Sequence, residues 1–257
     1  MIQKAKLDIA VSMYISLFEK QFTSYQKVYR DKKVGVLVSG GIDSSIVAFF
    51  AQKYFPEAVF LSLTTAKGVD EPFVKLLGEK LLRKAHFVEV NAQQIDEKQA
   101  EIVELLKNAQ VEISPMQQAL ASVYYFLFQE AKTLGIEVIF TGQGPDILLA
   151  GYNKYKHLPL SEVKTQIAVD MLLLETDDKR DGAMAKRWSI ELKHPYLEPD
   201  FVEFTQTLPG ELLIHENCEK YISRLVGEKI GLPEAIYDRP KKAMQYSTGV
   251  QKILLKP

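Results

Sequence analysis

The 257 residues include a single cysteine, Cys218. One thiol excludes an intramolecular disulfide framework and any cysteine-built zinc or iron–sulfur site, and no Cys-x-x-Cys pair exists for sulfur transfer. Its neighbours Asn217 and Glu219 offer no base, so the thiol reads as packing in or beside a helix, and a reducing cytoplasm is the expected setting. Charge of one sign is also lacking: 32 basic against 33 acidic residues leave a net charge of −1. A nucleic-acid reader usually carries a basic excess, so no nucleic-acid partner is expected. No apolar run approaches the roughly 18 residues of a membrane span. Met1 to Gln21 is broken by charges every few residues, unlike a signal peptide, so no membrane partner is expected either. His86, His157, His194 and His215 show no metal-ligand spacing and read as structural. The hydrophobic content, 47%, is ordinary for a globular chain and too high for disorder at this net charge.

What is present is an alternation of strands and helices. Leu7, Ala10, Val11, Tyr14, Ile15, Phe18 and Phe22 recur at helical spacing, which predicts an amphipathic helix over residues 1–30. Val34 to Val38 is a continuous apolar run, as expected of a strand buried on both faces of a parallel sheet. Ser39-Gly40-Gly41 breaks it, and a helix follows through Ile46, Val47, Phe50 and Ala51 until Pro56. Further strands are expected at 58–63, 86–90 and 136–140, with helices at 71–83, 95–107 and 116–134 between them. The run Tyr124-Tyr125-Phe126 falls in mid-helix and reads as core. Strands separated by helices imply a doubly wound parallel α/β sheet with helices on both faces. After Gly151 the pattern predicts no strand, only helical segments around 162–174, 199–207 and 219–230. The expected organisation is one domain over 1–257: an N-terminal helix (1–30), an α/β core (31–151) and a helical part (152–257).

The sharpest feature lies between the first strand and the helix after it: Ser39-Gly40-Gly41-Ile42-Asp43-Ser44-Ser45. Two glycines permit close backbone approach to a ligand, and serine hydroxyls with free helix-start amides form an anion site. The lysine-containing phosphate loop, Gly-Lys-Ser/Thr, is absent. A carboxylate at 43 inside an anion site needs a cation between, and Mg²⁺ bridging carboxylate and phosphate satisfies both. Asp146, after the strand that ends at Phe140, would face the same crevice and supply a second hard-oxygen ligand.

These residues carry a resemblance. Ser39-Gly40-Gly41-Ile42-Asp43-Ser44 resembles the pyrophosphate loop of the adenine-nucleotide alpha-hydrolase superfamily. Thr141-Gly142-Gln143-Gly144-Pro145-Asp146, followed by Ala150-Gly151-Tyr152, is similar to the Gly-Glu-Gly-x-Asp-Glu…Gly-Gly-Tyr segment of the asparagine synthetase synthetase domain. Lys179-Arg180-Asp181 with Ser189 to Glu198 resembles that family's Arg-Asp…Ser-x-Glu-x-Arg-x-Pro-Phe-Leu-Asp, and Asp238-Arg239-Pro240-Lys241-Lys242…Gly249 its C-terminal Arg-x-Lys…Gly stretch. The matches run in the family's order from about Val34 to Gly249.

The resemblance implies an ATP- and Mg²⁺-dependent ligase that adenylates a carboxylate, aspartate first among candidates, releases pyrophosphate, and transfers the acyl group to an amine with release of AMP. It implies phosphate binding by Ser39, Gly40, Gly41, Ser44 and Ser45, adenosine flanked by Leu37, Leu63, Thr141 and Gly142, Mg²⁺ on Asp43 and Asp146, and a lysine on the pyrophosphate and the activated carboxylate, for which spacing favours Lys241 and leaves Lys242 open. Two departures stand out. The chain begins Met1-Ile2-Gln3 and lacks the family's N-terminal glutaminase cysteine, so ammonia, another amine or a separate glutaminase chain is expected as nitrogen source. Gln143 stands where the family carries a Glu that accepts the proton of the attacking nitrogen, and a carboxamide cannot accept it at neutral pH. Asp181 is the candidate replacement base, with Asp178 and Tyr152 behind it. The alternatives are a lactam-synthetase-like or other amide ligase acting on a different acid, and a nucleotide-binding protein without turnover.

Overall fold

A computed structural model describes residues 4–255. Five parallel strands form one sheet in the order β3-β2-β1-β4-β5: β1 is Val34–Leu37, β2 Val59–Thr64, β3 His86–Glu89, β4 Val138–Phe140 and β5 Glu191–Lys193. The expected α/β class and the helices on both faces are therefore observed. The first strands are near-continuous apolar runs because both faces are covered. In β1, Val34 and Val36 join one core and Leu37 the other, while Gly35 lets Ile136 and Ile139 pack close.

Helices α1 (Lys4–Tyr29), α2 (Ile42–Tyr54) and α3 (Glu71–Lys80) contribute to the first core. In α1 the apolar stripe read from the sequence is the buried one, and Tyr14, Phe18 and Phe22 are fully enclosed. Residues 1–3 of that predicted helix lie outside the described residues. On the other face, α4 (Ala92–Asn108) and α5 (Pro115–Thr133) pack over Leu61, Leu63 and Ile139. α4 starts earlier than its apolar periodicity suggests because Asn91 and Gln94 close a capping box ahead of it. Tyr124, Tyr125 and Phe126 are core, as their mid-helix position implies.

Beyond Gly151 the chain is mainly helical. Its helices include α7 (Leu160–Asp170), α8 (Leu173–Arg187), α9 (Pro199–Thr207), α10 (Gly210–Leu213) and α11 (Tyr221–Lys229), with the one-turn α6 (Pro145–Leu148) just before. The expectation of no strand there is corrected. β5 adds to the sheet edge, with Leu192 opposite Ile139, and Ile214–His215 pairs antiparallel with Cys218–Glu219. β5 escapes pattern reading because it is three residues long and Leu192 is its only apolar member. Likewise, residues 219–220 are not helical. Among the described residues no helix is long and apolar enough to cross a membrane.

The strand order fixes where the site lies. Leaving β1, the chain builds outward through β2 and β3, then returns to add β4 on the other side of β1. The chain order thus reverses between β1 and β4, which places a crevice at the carboxyl ends of the strands, the usual ligand position in an open parallel sheet.

Candidate active site

The loop after β1 is preformed. The Ser39 amide donates to Ser44 Oγ at 3.2 Å, the two serine hydroxyls share a 3.1 Å hydrogen bond, and Ser44 Oγ donates to the Gly41 carbonyl at 3.2 Å. Gly40 has φ +65°, and a Cβ there would stand 2.4 Å from Phe73 Cβ. Only glycine meets both demands. The first amides of α2 lack intrahelical partners and open toward the crevice with the positive end of the helix dipole. Ser45 Oγ is buried without a partner. Gly142, after β4, lies so close that a Cβ would come 2.8 Å from the Ser44 amide nitrogen. The two loops therefore form one wall.

Above this wall Asp43 and Asp146 converge, and a residue that sequence reading missed joins them. The Lys220 amine stands 2.5 Å from Asp43 Oδ2 and 2.5 Å from Asp146 Oδ1, and the Lys241 amine lies 2.5 Å from Asp146 Oδ2. Lys220 is 3% exposed and enters from the turn before α11 with a left-handed backbone, φ 54°. Gly151 makes room for it, since a Cβ at 151 would come 2.0 Å from Lys220 Cε. Burial opposes the Lys220 charge, but Asp146 and Asp43 outweigh it and hold the ammonium pKa above the usual lysine value. Burial would likewise raise Asp146, yet Lys220 and Lys241 hold its carboxyl well below the usual range. Lys241, not its neighbour Lys242, makes the contact with Asp146.

The residue set suits a divalent cation on two grounds. The carboxylates come from two strand ends, and Asp43 Oδ1 is buried with no hydrogen-bond partner. Lys220 supplies the countercharge between them. Among the described residues no group of three or more His, Cys, Asp or Glu gathers as a metal cluster, so further ligands have to come from a substrate or water.

Beside the loop after β1 the crevice becomes an apolar slot lined by Leu37, Leu61, Leu63, Val123, Leu127 and Met244. Thr141 and Gly142 border it. Thr141 Oγ1 bonds His194 Nδ1 at 2.6 Å, and burial pushes that imidazole pKa down.

At the far end stands a second polar cluster, again larger than the sequence suggested. The Gln143 amide donates to Asp177 Oδ2 at 2.7 Å. Arg180, 2% exposed, donates to Asp177 at 2.7 Å, Asp181 at 2.7 Å and Gln117 at 2.9 Å. Asp181 is fully buried and does not line the crevice. Burial pushes its pKa up to about 6, against the opposing pull of Arg180. Tyr124 does line the crevice, and burial together with the Asp181 charge raises its phenol well above the ordinary value. Asp177 is 18% exposed, whereas Asp178 points to solvent and Tyr152 is half-buried. The helical spacing 177, 180, 181 on α8 is the signal that would have revealed this cluster.

The site thus joins a glycine-bearing loop at the switch point of a parallel α/β sheet to lysines set against paired carboxylates. The model of the asparagine synthase family matches residues 24–171 and 162–256, and the chain belongs to that family. Among curated proteins it is 24% identical over 260 residues to a putative glutamine-hydrolyzing asparagine synthetase of Methanocaldococcus jannaschii, covering 87% of this chain and 47% of the relative. It is 29% identical over 249 residues to the human glutamine-hydrolyzing asparagine synthetase, covering 89% and 42%. The chain thus spans less than half the length of these relatives. Among solved structures, an NMN synthetase from Francisella tularensis aligns with a TM-score of 0.47 at 11% identity, over 92% of this chain and 84% of that one.

Proposed function

We propose that the protein is an ATP-dependent, AMP- and pyrophosphate-forming amide ligase that adenylates a carboxylate, aspartate first among candidates, for attack by ammonia or another amine. The observation that carries this reading is the meeting of Asp43, Asp146, Lys220 and Lys241 directly above the loop after β1. ATP and Mg²⁺ are the cofactors of the asparagine synthase family, and this arrangement suits both.

A carboxylate is a poor acyl donor because oxide would have to leave. Attack on the α phosphorus of ATP remedies this, and the departing pyrophosphate concentrates negative charge. The loop over Ser39, Gly40, Gly41, Ser44 and Ser45 presents donors to that charge, while Lys241 and Lys220 bring ammonium groups. Asp43 and Asp146 would hold Mg²⁺, which when bound supplies further charge neutralisation. Leu37, Leu63, Thr141 and Gly142, which line the crevice beside that loop, would flank the adenosine.

The amine step belongs to the Gln143 end. The Gln143 amide donates to Asp177, so its carbonyl oxygen is the atom left to accept from an incoming N–H. Gln143 orients the amine, and Asp177, partly exposed, takes the proton. Asp181 acts from behind through Arg180 and Tyr124. A Gln–Asp pair in place of a lone carboxylate favours, as second reading, an amine other than ammonia or an acid other than aspartate, including ring closure. We assign the 1–30 helix, the 31–151 core and the 152–257 helical part to one unit, a cytoplasmic location, and small-molecule acid and amine partners. A glutaminase is a compatible nitrogen source.

The test is exchange of labelled pyrophosphate into ATP over a panel of carboxylic acids. Exchange with aspartate supports the first reading. Exchange only with another acid selects the second. ATP binding with no exchange on any acid would leave a nucleotide-binding protein without turnover.

A further inference from the structure

The Lys241 amine must sit over Asp146 at a defined height, yet residues 239–243 form neither helix nor strand, and Lys241 is itself exposed. Something other than regular structure has to set its position.

Downstream, the arm is tied to the loop that follows β2. The Val69 amide donates to the Ser247 carbonyl at 2.8 Å, and Thr65 Oγ1 donates to the Thr248 carbonyl at 2.7 Å. Upstream, Arg224 Nη1 holds the backbone, donating to the Tyr237 carbonyl at 2.9 Å and the Arg239 carbonyl at 3.5 Å, and the Arg239 side chain makes the ties to the loop after β1 and to α3. Arg239, 9% exposed, donates from Nη2 to Asp70 Oδ1 at 2.7 Å and from Nη1 to the Ser39 carbonyl at 2.9 Å, and its guanidinium lies 3.8 Å over the Phe73 ring. Asp70 is 5% exposed. Phe73 is also the residue that forbids a Cβ at Gly40. One guanidinium thus joins the start of α3, the loop after β1 and the arm two residues ahead of Lys241. A planar fork that is stacked on one face and bonded along two edges has little freedom left.

We propose that Arg239 is the positioning residue for Lys241: through Asp70, Phe73 and the Ser39 carbonyl it registers the lysine arm to the loop after β1, so the two halves of the pyrophosphate site move as one. This rests on the reading of Lys241 and that loop as pyrophosphate ligands. A purely structural ion pair would show in stability alone. A positioning residue also sets where Lys241 lies once stability is restored.

The experiment separates these. R239M alone strands a buried carboxylate, and Asp70 Oδ2 already lacks a partner. The double variant D70N/R239M removes that charge and isolates the loss of registration. R239K is run beside it: it keeps a charge against Asp70 but cannot also span to the Ser39 carbonyl and stack. The full chain is read out by thermal melting, by calorimetric binding of magnesium pyrophosphate, and by mass-spectrometric rates of Lys241 acetylation with acetic anhydride.

We expect D70N/R239M to melt near the parent, with Lys241 acetylated about tenfold faster and pyrophosphate bound about tenfold more weakly, the size of one lost charged hydrogen bond. K241A should bind as weakly, and adding K241A to the double variant should weaken binding no further. R239K should show the same rise in Lys241 labelling, which decides the matter if the double variant does not fold. Parental Lys241 labelling in every folded Arg239 variant would overturn the proposal. If K241A retained full pyrophosphate affinity while Lys241 labelling still rose in the Arg239 variants, the registration would stand and the pyrophosphate role of Lys241 would fall.

Discussion

Replacing Lys220 by Met keeps an unbranched side chain, one atom shorter, and removes one ammonium from between two carboxylates at 2.5 Å each. Removing one partner of a buried ion pair typically costs about 3–5 kcal/mol, because the remaining charge stays desolvated. Asp43 and Asp146 are 15% and 30% exposed, so water relieves part of the repulsion and the lower figure, about 3 kcal/mol, applies. For a chain of this size that corresponds to a fall in Tm of about 6–12 °C in EDTA. A divalent cation can then take the position the ammonium vacates. Mg²⁺ at about 100 times its Kd would return about 2.7 kcal/mol, most of the loss. The parent should gain little from Mg²⁺ alone, because Lys220 already neutralises the pair. Thermal melting of both proteins in EDTA and in Mg²⁺ measures all four states. Equal Tm values in EDTA, or equal gains from Mg²⁺, would refute the reasoning.

Three shorter predictions test other parts of the site. Gly40→Ala forces a Cβ to 2.4 Å from Phe73 Cβ at a positive φ, so ATP affinity measured by calorimetry should fall at least tenfold; unchanged affinity would mean that the loop is not a phosphate site. Gln143→Glu places a carboxylate against Asp177, 2.7 Å from the amide it replaces, so the pH at which the amine step reaches half its maximal rate should move; an unaltered pH profile would remove Gln143 from that step. Asp181 titrates near 6 in the folded protein against about 3.9 in an unfolded chain. The native state then binds the extra proton between these values, so the contribution of this group to stability is present below about pH 4 and is lost as pH rises through about 6. Urea unfolding across that window should show a falling component that D181N lacks, and identical slopes in the two proteins would contradict it.

The sequence displays what is local and what is covered on both sides. The apolar runs at 34–38, 58–63 and 136–140 mark strands because each is buried on two faces, and Gly40 marks its loop because no other residue fits. The edge strand Glu191–Lys193 carries no such signal, since its one apolar residue cannot show a period. Lys220 is the clearest omission. Nothing in its neighbours distinguishes a lysine folded into a crevice from one in solvent, and its partners lie 177 residues away at Asp43 and on another loop at Asp146. Charged residues crowd α8 and mask its helical period, so the motif around Arg180 and Asp181 does not by itself show that Asp177, one turn earlier, joins them. Pairings made by tertiary approach are what motif reading leaves out.

On the proposed reading, ATP is cut between its α and β phosphates over Asp43 and Asp146. Separation of the nucleotide products by ion-exchange chromatography, after incubation with ATP, Mg²⁺, ammonia and the acid that supports exchange, measures this directly. AMP and pyrophosphate in equal amounts, absent in Asp43→Asn while that variant keeps the parental circular dichroism spectrum, is the predicted result. ADP and orthophosphate, or AMP formed equally well by Asp43→Asn, would contradict it.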